Sequence, residues 1–145
     1  MKLTLTQSPV YTEPEVDIRY ADMEPQLQKV IDLLGNNRQL LTVRSDNSTK
    51  RIRPEEVLYF ESVDEKTFVY CQSEVFSSDL KLYALEELLK DTGFVRISKA
   101  CILNIDWLDS VKVLMNGKMD ALLQNGEHLI VNRHYVPAFK KAFGL

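Results

Sequence analysis

The stretch Val95–Val113, VRISKACILNIDWLDSVKV, decides how the chain is to be read. Val, Ile, Leu and Trp recur at near-alternating positions, the pattern of a half-buried strand. Yet Arg96, Ser98 and Lys99 crowd one end, and Asn104 stands where an apolar side chain would be easier to bury. A β-rich domain that interrupts a core strand in this way needs a reason. One reason is structural: Arg96 pairs with a core-flanking acid, while Ser98 and Asn104 satisfy backbone groups at a kink or bulge. The other is functional: polar side chains project from a rigid scaffold where one element gives way to the next.

The flanking sequence supplies the scaffold. Upstream, LYALEELLKDTG reads as a helix with Leu82, Leu85 and Leu89 on its buried side and Gly93 at its end. Downstream, SVKVLMNGKMDALLQNGEHLIV reads as three strands joined by two Asn-Gly turns, a pair that favours type I′ geometry because both central residues need positive φ. The closing YVPAFKKAF is a short helix with Pro137 in its first turn and Val136, Phe139 and Phe143 toward the core. Further upstream, RQLLTVRS, KRIRP, VLYFESV and TFVYCQS are strand-like. Before them, EVDIRY alternates Val16, Ile18 and Tyr20 as a short strand. A helix follows, with Asp22 as N-cap, Leu27, Val30, Ile31 and Leu34 on one face, and Gly35 as its stop. A boundary in the GNNRQ turn divides an acidic βα extension, residues 1–37, from a mainly β domain with short helices, residues 38–145.

Composition narrows the function. At 145 residues with 45% hydrophobic side chains, the chain can bury a core without disulfides or metal. No apolar run approaches the roughly 20 residues needed to span a bilayer, and the N-terminus lacks a signal peptide's apolar stretch, so a cytoplasmic location is expected. Cys71 and Cys101 are isolated and read as buried, reduced thiols. His128 and His134 lack partners at metal-ligand spacing, so no metal site is expected. Gly-rich phosphate loops, G-x-S-x-G and H-E-x-x-H are absent, which leaves an enzyme without support.

The net charge of −3 is uneven. Residues 1–37 hold three basic and six acidic side chains, residues 38–95 eight and eleven, and residues 96–145 seven and four. The C-terminal part can therefore present a positive face despite the acidic total. There, Asn132, Arg133 and His134 in VNRHY form a second polar cluster at an element junction. Arg, Lys, Asn, Ser and His are the side chains that pair with phosphates and base edges. An evenly mixed, solvated surface accounts for the same charges equally well.

The order of motifs resembles the LytTR family of bacterial DNA-binding domains. The resemblance rests on IRPEEVLYFESVDEKTFVYC, LKLYALEELLKDTGFVRISKACILNIDWLDSV, MNGKMDALLQNGEHLIVNRHY and the closing FKKAF, over two thirds of the chain. Departures from the family pattern are Ser98 for its usual His, Ala100 for its usual Ser, and Val131-Asn132-Arg133 for V-S-R. They bear on which DNA sequence is preferred, not on the fold. The resemblance implies an α+β fold of stacked small antiparallel sheets that inserts loop side chains into successive major grooves of double-stranded DNA. It places base contacts at Lys66, Ser98, Lys99, Asn132, Arg133 and His134, with Arg96 and Asn104 bracing the loops. It further implies a stand-alone transcription regulator, since residues 1–37 are too few for a receiver domain. Such a regulator would bind repeated sites as a homodimer, without cofactor or small-molecule substrate; a small membrane protein that holds it inactive is a partner to be sought. The competing reading is a LytTR-like protein-interaction module with weak or no DNA binding, in which the acidic extension engages the partner.

Overall fold

A computed structural model of the protein describes residues 1–34 and 39–145. The chain divides into two compact units, Met1–Asn37 and Arg38–Leu145.

In the first unit the only regular element among the described residues is helix α1, Pro25–Leu34. The first helical bond runs from the Gln28 N–H to the Glu24 carbonyl, so the helix starts two residues later than an Asp22 cap implies. Leu27, Val30 and Ile31 are half-buried and Leu34 is exposed. The strand expected over EVDIRY does not form, and the extension is not a βα unit. Alternation alone cannot make a strand, because its backbone groups need a neighbouring strand to bond to. Val16 and Tyr20 stand 64% and 55% exposed. The expected stop at Gly35 and the GNNRQ turn fall wholly or partly on residues 35–38, outside the described residues.

The second unit is mainly antiparallel β with two short helices. Seven strands, β1 (Leu41–Ser45), β2 (Ser48–Ile52), β3 (Val57–Val63), β4 (Lys66–Cys71), β5 (Val75–Ser78), β6 (Phe94–Ser98) and β7 (Cys101–Asn104), form one sheet in the order β2-β1-β5-β4-β3-β7-β6. A second sheet holds β8 (Leu108–Val113), β9 (Met119–Leu123) and β10 (His128–Val131) in the order β10-β9-β8. Helix α2 (Leu82–Leu88) follows β5, and α3 (Val136–Phe143) closes the chain. Strand β5 escaped the sequence reading because VFSS has only two apolar residues and lies against a helical pattern. Helix α2 stops short of Gly93: its last turn tightens at Leu89, and the chain reaches β6 through Asp91 and Gly93, both at positive φ.

Strand β3 organises the core. Val57, Leu58, Tyr59 and Phe60 are all buried because both faces of the strand are covered, and a bulge between Val57 and Tyr59 shifts which face each side chain takes. Val57 and Phe60 join Val43, Val69, Ile102, Leu82, Leu85 and Leu89 on the α2 side. Leu58 and Tyr59 join Ile97, Leu103, Met119, Ala121, Leu123, Val131 and Phe139 on the side of the second sheet and α3. Tyr59 stacks on Tyr70 with ring centroids 4.3 Å apart, and its hydroxyl donates to Glu127 at 2.7 Å, stitching the two sheets.

The VRISKACILN stretch is a hairpin, β6–β7, rather than one interrupted strand. Asn104 ends β7, only 1% exposed. Its Nδ2 donates to the Val57 carbonyl at 2.8 Å, and its Oδ1 accepts from the Asp106 N–H at 3.0 Å. The amide thus serves the carbonyl beside the β3 bulge, where the ladder to β7 has not yet begun. Of the two Asn-Gly turns, Asn116-Gly117 has both residues at positive φ, as type I′ requires. In Asn125-Gly126 only Gly126 does, and its N–H bonds back to Leu123, giving a type I turn that closes on a glycine.

Two predictions follow from this core. Asn104→Leu leaves the buried Val57 carbonyl without its donor, and should destabilise the protein by about 1–3 kcal/mol in urea unfolding; a variant as stable as wild type would mean the bulge is satisfied by other groups. The second concerns alkaline pH. Burial pushes the Cys101 thiol up to about 12, with Glu61 adding and Arg96 opposing. Burial, then Glu56 and Glu74, raises Cys71 to about 11. Unfolded thiols ionise near pH 8.5. Stability is therefore insensitive to these groups below that value and falls as pH rises from about 9 to 11, because only the unfolded chain releases the protons. Thermal unfolding midpoints should fall less steeply over that range in Cys101→Ala than in wild type; parallel profiles would exclude Cys101 as a contributor.

Candidate nucleic-acid interface

Three loops gather at one end of the seven-stranded sheet. The β3–β4 turn places Asp64 and Glu65 at φ 50° and 65°, with Lys66 opening β4. The β6–β7 turn carries Lys99 and Ala100 at its tip. These two turns lie side by side, since Glu61 pairs with Cys101 and the Ser62 N–H donates to the Ala100 carbonyl at 2.8 Å. The third loop, Asn132–Tyr135, leaves β10 as a single 3-10 turn into α3.

A bulge joins the third loop to the second. The β6–β7 register slips between Arg96 and Ser98, so the Ile97 carbonyl turns away from β7. It accepts instead from the Asn132 N–H at 2.9 Å. Ile97 itself is buried against the second sheet. Two polar clusters far apart in sequence thus share a backbone hydrogen bond. The slip also breaks the regular alternation that would set Arg96 and Ser98 on one face.

Arg96 lies beneath the turn. Its Nε donates to the Ser98 carbonyl at 2.8 Å, one Nη to the Lys99 carbonyl at 2.6 Å, and the other meets Glu86 of α2 at 2.8 Å. The Arg96 side chain, only 20% exposed, thereby holds the turn from below while α2 holds the guanidinium. Ser98 is half-buried, and its Oγ accepts the Ala100 N–H at 3.1 Å, so that oxygen is engaged inside the turn. Lys99, Lys66, Arg133 and His134 are exposed; Asn132 is half-buried. None of Lys66, Lys99 and Arg133 is in a salt bridge among the described residues. The His134 ring sits edge-on to Tyr135 at 5.2 Å. Asn104 lies at the far end of β7 from the Lys99 tip, against Val57 rather than against any of the three loops.

Two residues that sequence reasoning did not connect with these loops also shape this end: Lys81, and Gly117, read there only as a turn residue. Lys81 Nζ donates to the Glu65 carbonyl at 2.7 Å and pins the β3–β4 turn. Gly117 lies beneath the Arg133 side chain, with an added Cβ falling 2.9 Å from Arg133 Cδ. Both contacts are tertiary, and no local pattern announces them. Among the described residues no His, Cys, Asp and Glu cluster could hold a metal ion, and no helix is long and apolar enough to cross a membrane.

Residues 47–144 match the family model of the LytTr DNA-binding domain, and the chain belongs to that family. A regulator described as an uncharacterised HTH-type transcriptional regulator from Staphylococcus aureus (strain MSSA476) is 24% identical over 147 residues, spanning 100% of this chain and 99% of its own length. The sensory transduction protein LytT of Enterococcus faecalis (strain ATCC 700802 / V583) is 25% identical over 112 residues, 77% of this chain and 46% of that protein. In structure, a LytTr DNA-binding domain from Bacillus cereus superposes with a TM-score of 0.69 at 23% identity, covering 73% of this chain and 97% of that one. The fold is thus that of a LytTr domain. Among the described residues no two α-helices adjoin across a short turn.

Arg96→Ala removes two charge-assisted bonds to the turn and should cost about 1–3 kcal/mol in urea unfolding. Arg96→Lys should recover only part, because one ammonium cannot reproduce the fork. Full stability of the alanine variant would show that the turn keeps its shape unaided.

Proposed function

We propose that the protein is a sequence-specific DNA-binding transcription regulator. In this reading it sets the β3–β4, β6–β7 and β10–α3 loops into successive major grooves of repeated sites, as a homodimer. The observation that carries the reading is the Asn132–Ile97 backbone bond, which holds the two polar loops as one rigid edge with exposed Lys99 and Arg133 on it. A rigid edge suits base recognition, because side chains mounted on it lose little freedom on binding. Lys99, exposed and unpaired at a tip braced by Arg96, is the best placed to reach a base edge. Arg133 and His134 would serve a neighbouring groove. Ser98 would act mainly by shaping the turn, since its Oγ already accepts a backbone donor.

The acidic residues favour a second reading, a protein-interaction module. Asp64 and Glu65 occupy the turn that presents Lys66, and both would repel phosphates. Salt dependence separates the two. Phosphate contacts release counterions, so affinity for DNA should fall by orders of magnitude between about 50 and 200 mM salt.

The test begins with enrichment of duplexes from a random-sequence library by the full chain, followed by gel shifts of the winner at both salt concentrations. Failure to enrich any duplex would sink the DNA-binding reading. Given an enriched duplex, Lys99→Ala should cost about 1–3 kcal/mol of discrimination against random DNA. Its folding stability should change by no more than about 0.5 kcal/mol. Undiminished discrimination would remove Lys99 from the interface.

A further inference from the structure

The β8–β9 turn and the Arg133 side chain meet in a way that the DNA-binding reading does not by itself require. Three connections fix their relative position. Met119 pairs with Val131, which brings the turn alongside the residues that follow β10. The Leu114 N–H donates to the Lys118 carbonyl at 2.9 Å and closes the turn. On the other side, the Asn132 N–H is held by Ile97 and its carbonyl accepts the Tyr135 N–H at 2.8 Å, so the backbone around Arg133 is pinned. The Arg133 stem then passes directly over Gly117. A Cβ at Gly117 would stand 2.9 Å from Cδ and 3.0 Å from Cγ of Arg133.

We infer that Gly117 is a positioning residue for Arg133: the missing side chain leaves the groove in which the Arg133 stem lies, and so determines where its guanidinium points. This inference rests on the proposed role of Arg133 in DNA recognition. The physical argument is one of yielding parts. The obstructing atoms belong to a long, exposed side chain, so an added Cβ displaces Arg133 rather than breaking the fold. Recognition of a base edge depends on the direction of a guanidinium to a fraction of an ångström, as hydrogen-bond geometry demands. The displacement should therefore appear in sequence discrimination.

The protein supplies its own control. Gly126, in the companion turn, has φ +90° against +74° for Gly117, and an added Cβ there meets nothing within 4 Å. Alanine at either position bears the strain of a left-handed conformation; only at Gly117 does it also push on Arg133. The experiment uses the full chain and the duplex enriched from the random library, with a random duplex of equal length as reference, at one salt concentration. Gly117→Ala should lose roughly tenfold of the discrimination between the two duplexes, the scale of one impaired bidentate contact. Gly126→Ala should keep it. In an Arg133→Ala background, Gly117→Ala should cause no further loss, whereas a purely structural role would lower binding in either background. Equal losses in the two glycine variants, or an undiminished effect of Gly117→Ala without Arg133, would overturn the inference. If either alanine variant fails to fold, the matched pair Gly117→Asn and Gly126→Asn repeats the comparison with a residue that tolerates positive φ. A library that yields no enriched duplex would instead count against DNA recognition itself.

Discussion

The constraint on which the second unit depends is the burial of strands β3 and β7 on both faces. Phe60 and Ile102 point into one core, Tyr59 and Leu103 into the other, and all four are at most 5% exposed. A strand wet on one face needs one covering layer; these need two. Helix α2 closes one side with Leu82 and Leu85, joined by Leu89 at its C-cap, and the second sheet with α3 closes the other through Met119, Ala121, Leu123 and Phe139. The loops at the strand ends are then anchored in two cores at once, which is what makes a short turn such as Ser98–Cys101 a fixed platform.

Irregularity in the ladders does as much as regularity. The bulge in β3 leaves a carbonyl that Asn104 serves. The bulge in β6 turns the Ile97 carbonyl toward Asn132. In each case a backbone group freed from the sheet is satisfied by a polar residue from elsewhere, as burial requires. The second bulge has the larger consequence, because it couples the seven-stranded sheet to the end of the three-stranded one at the place where exposed basic side chains collect.

The charge distribution gives this edge its character without making the protein basic. Residues 1–37 carry three more acidic than basic side chains, while residues 38–145 hold fifteen of each. Lys66, Lys99 and Arg133 are carried on the loops of this edge of an otherwise neutral domain, and among the described residues none of the three is in a salt bridge. Glu86, which could have neutralised a loop cation, is engaged by the half-buried Arg96 instead. Net charge is a poor guide to the partner of such a molecule; the placement of unpaired cations on rigid turns is a better one.

Much of this was legible in one dimension. Leucines at helical spacing marked the α2 face, two Asn-Gly pairs marked the β8–β9 and β9–β10 turns, and the order of motifs pointed to the LytTr family, because these signals are local and their periods follow from backbone geometry. Local signals also misled. EVDIRY alternates like a strand but has no neighbour to pair with, VFSS pairs without alternating convincingly, and ILN continues the apolar pattern of VRIS although the chain reverses at Lys99. The candidate interface lay beyond reading in a different sense: its residue types were visible, but not their roles. That Ser98 folds its hydroxyl into the turn, that Asn104 serves a bulge far from the tips, and that Lys81 and Gly117 shape loops distant in sequence are outcomes of tertiary contact. The sequence by itself determined the family and most of the elements, since both reside in short-range pattern. Only the tertiary structure decided which side chains are consumed in holding the loops and which are left free at their tips, because hydrogen-bond partners and steric room are properties of the packed chain.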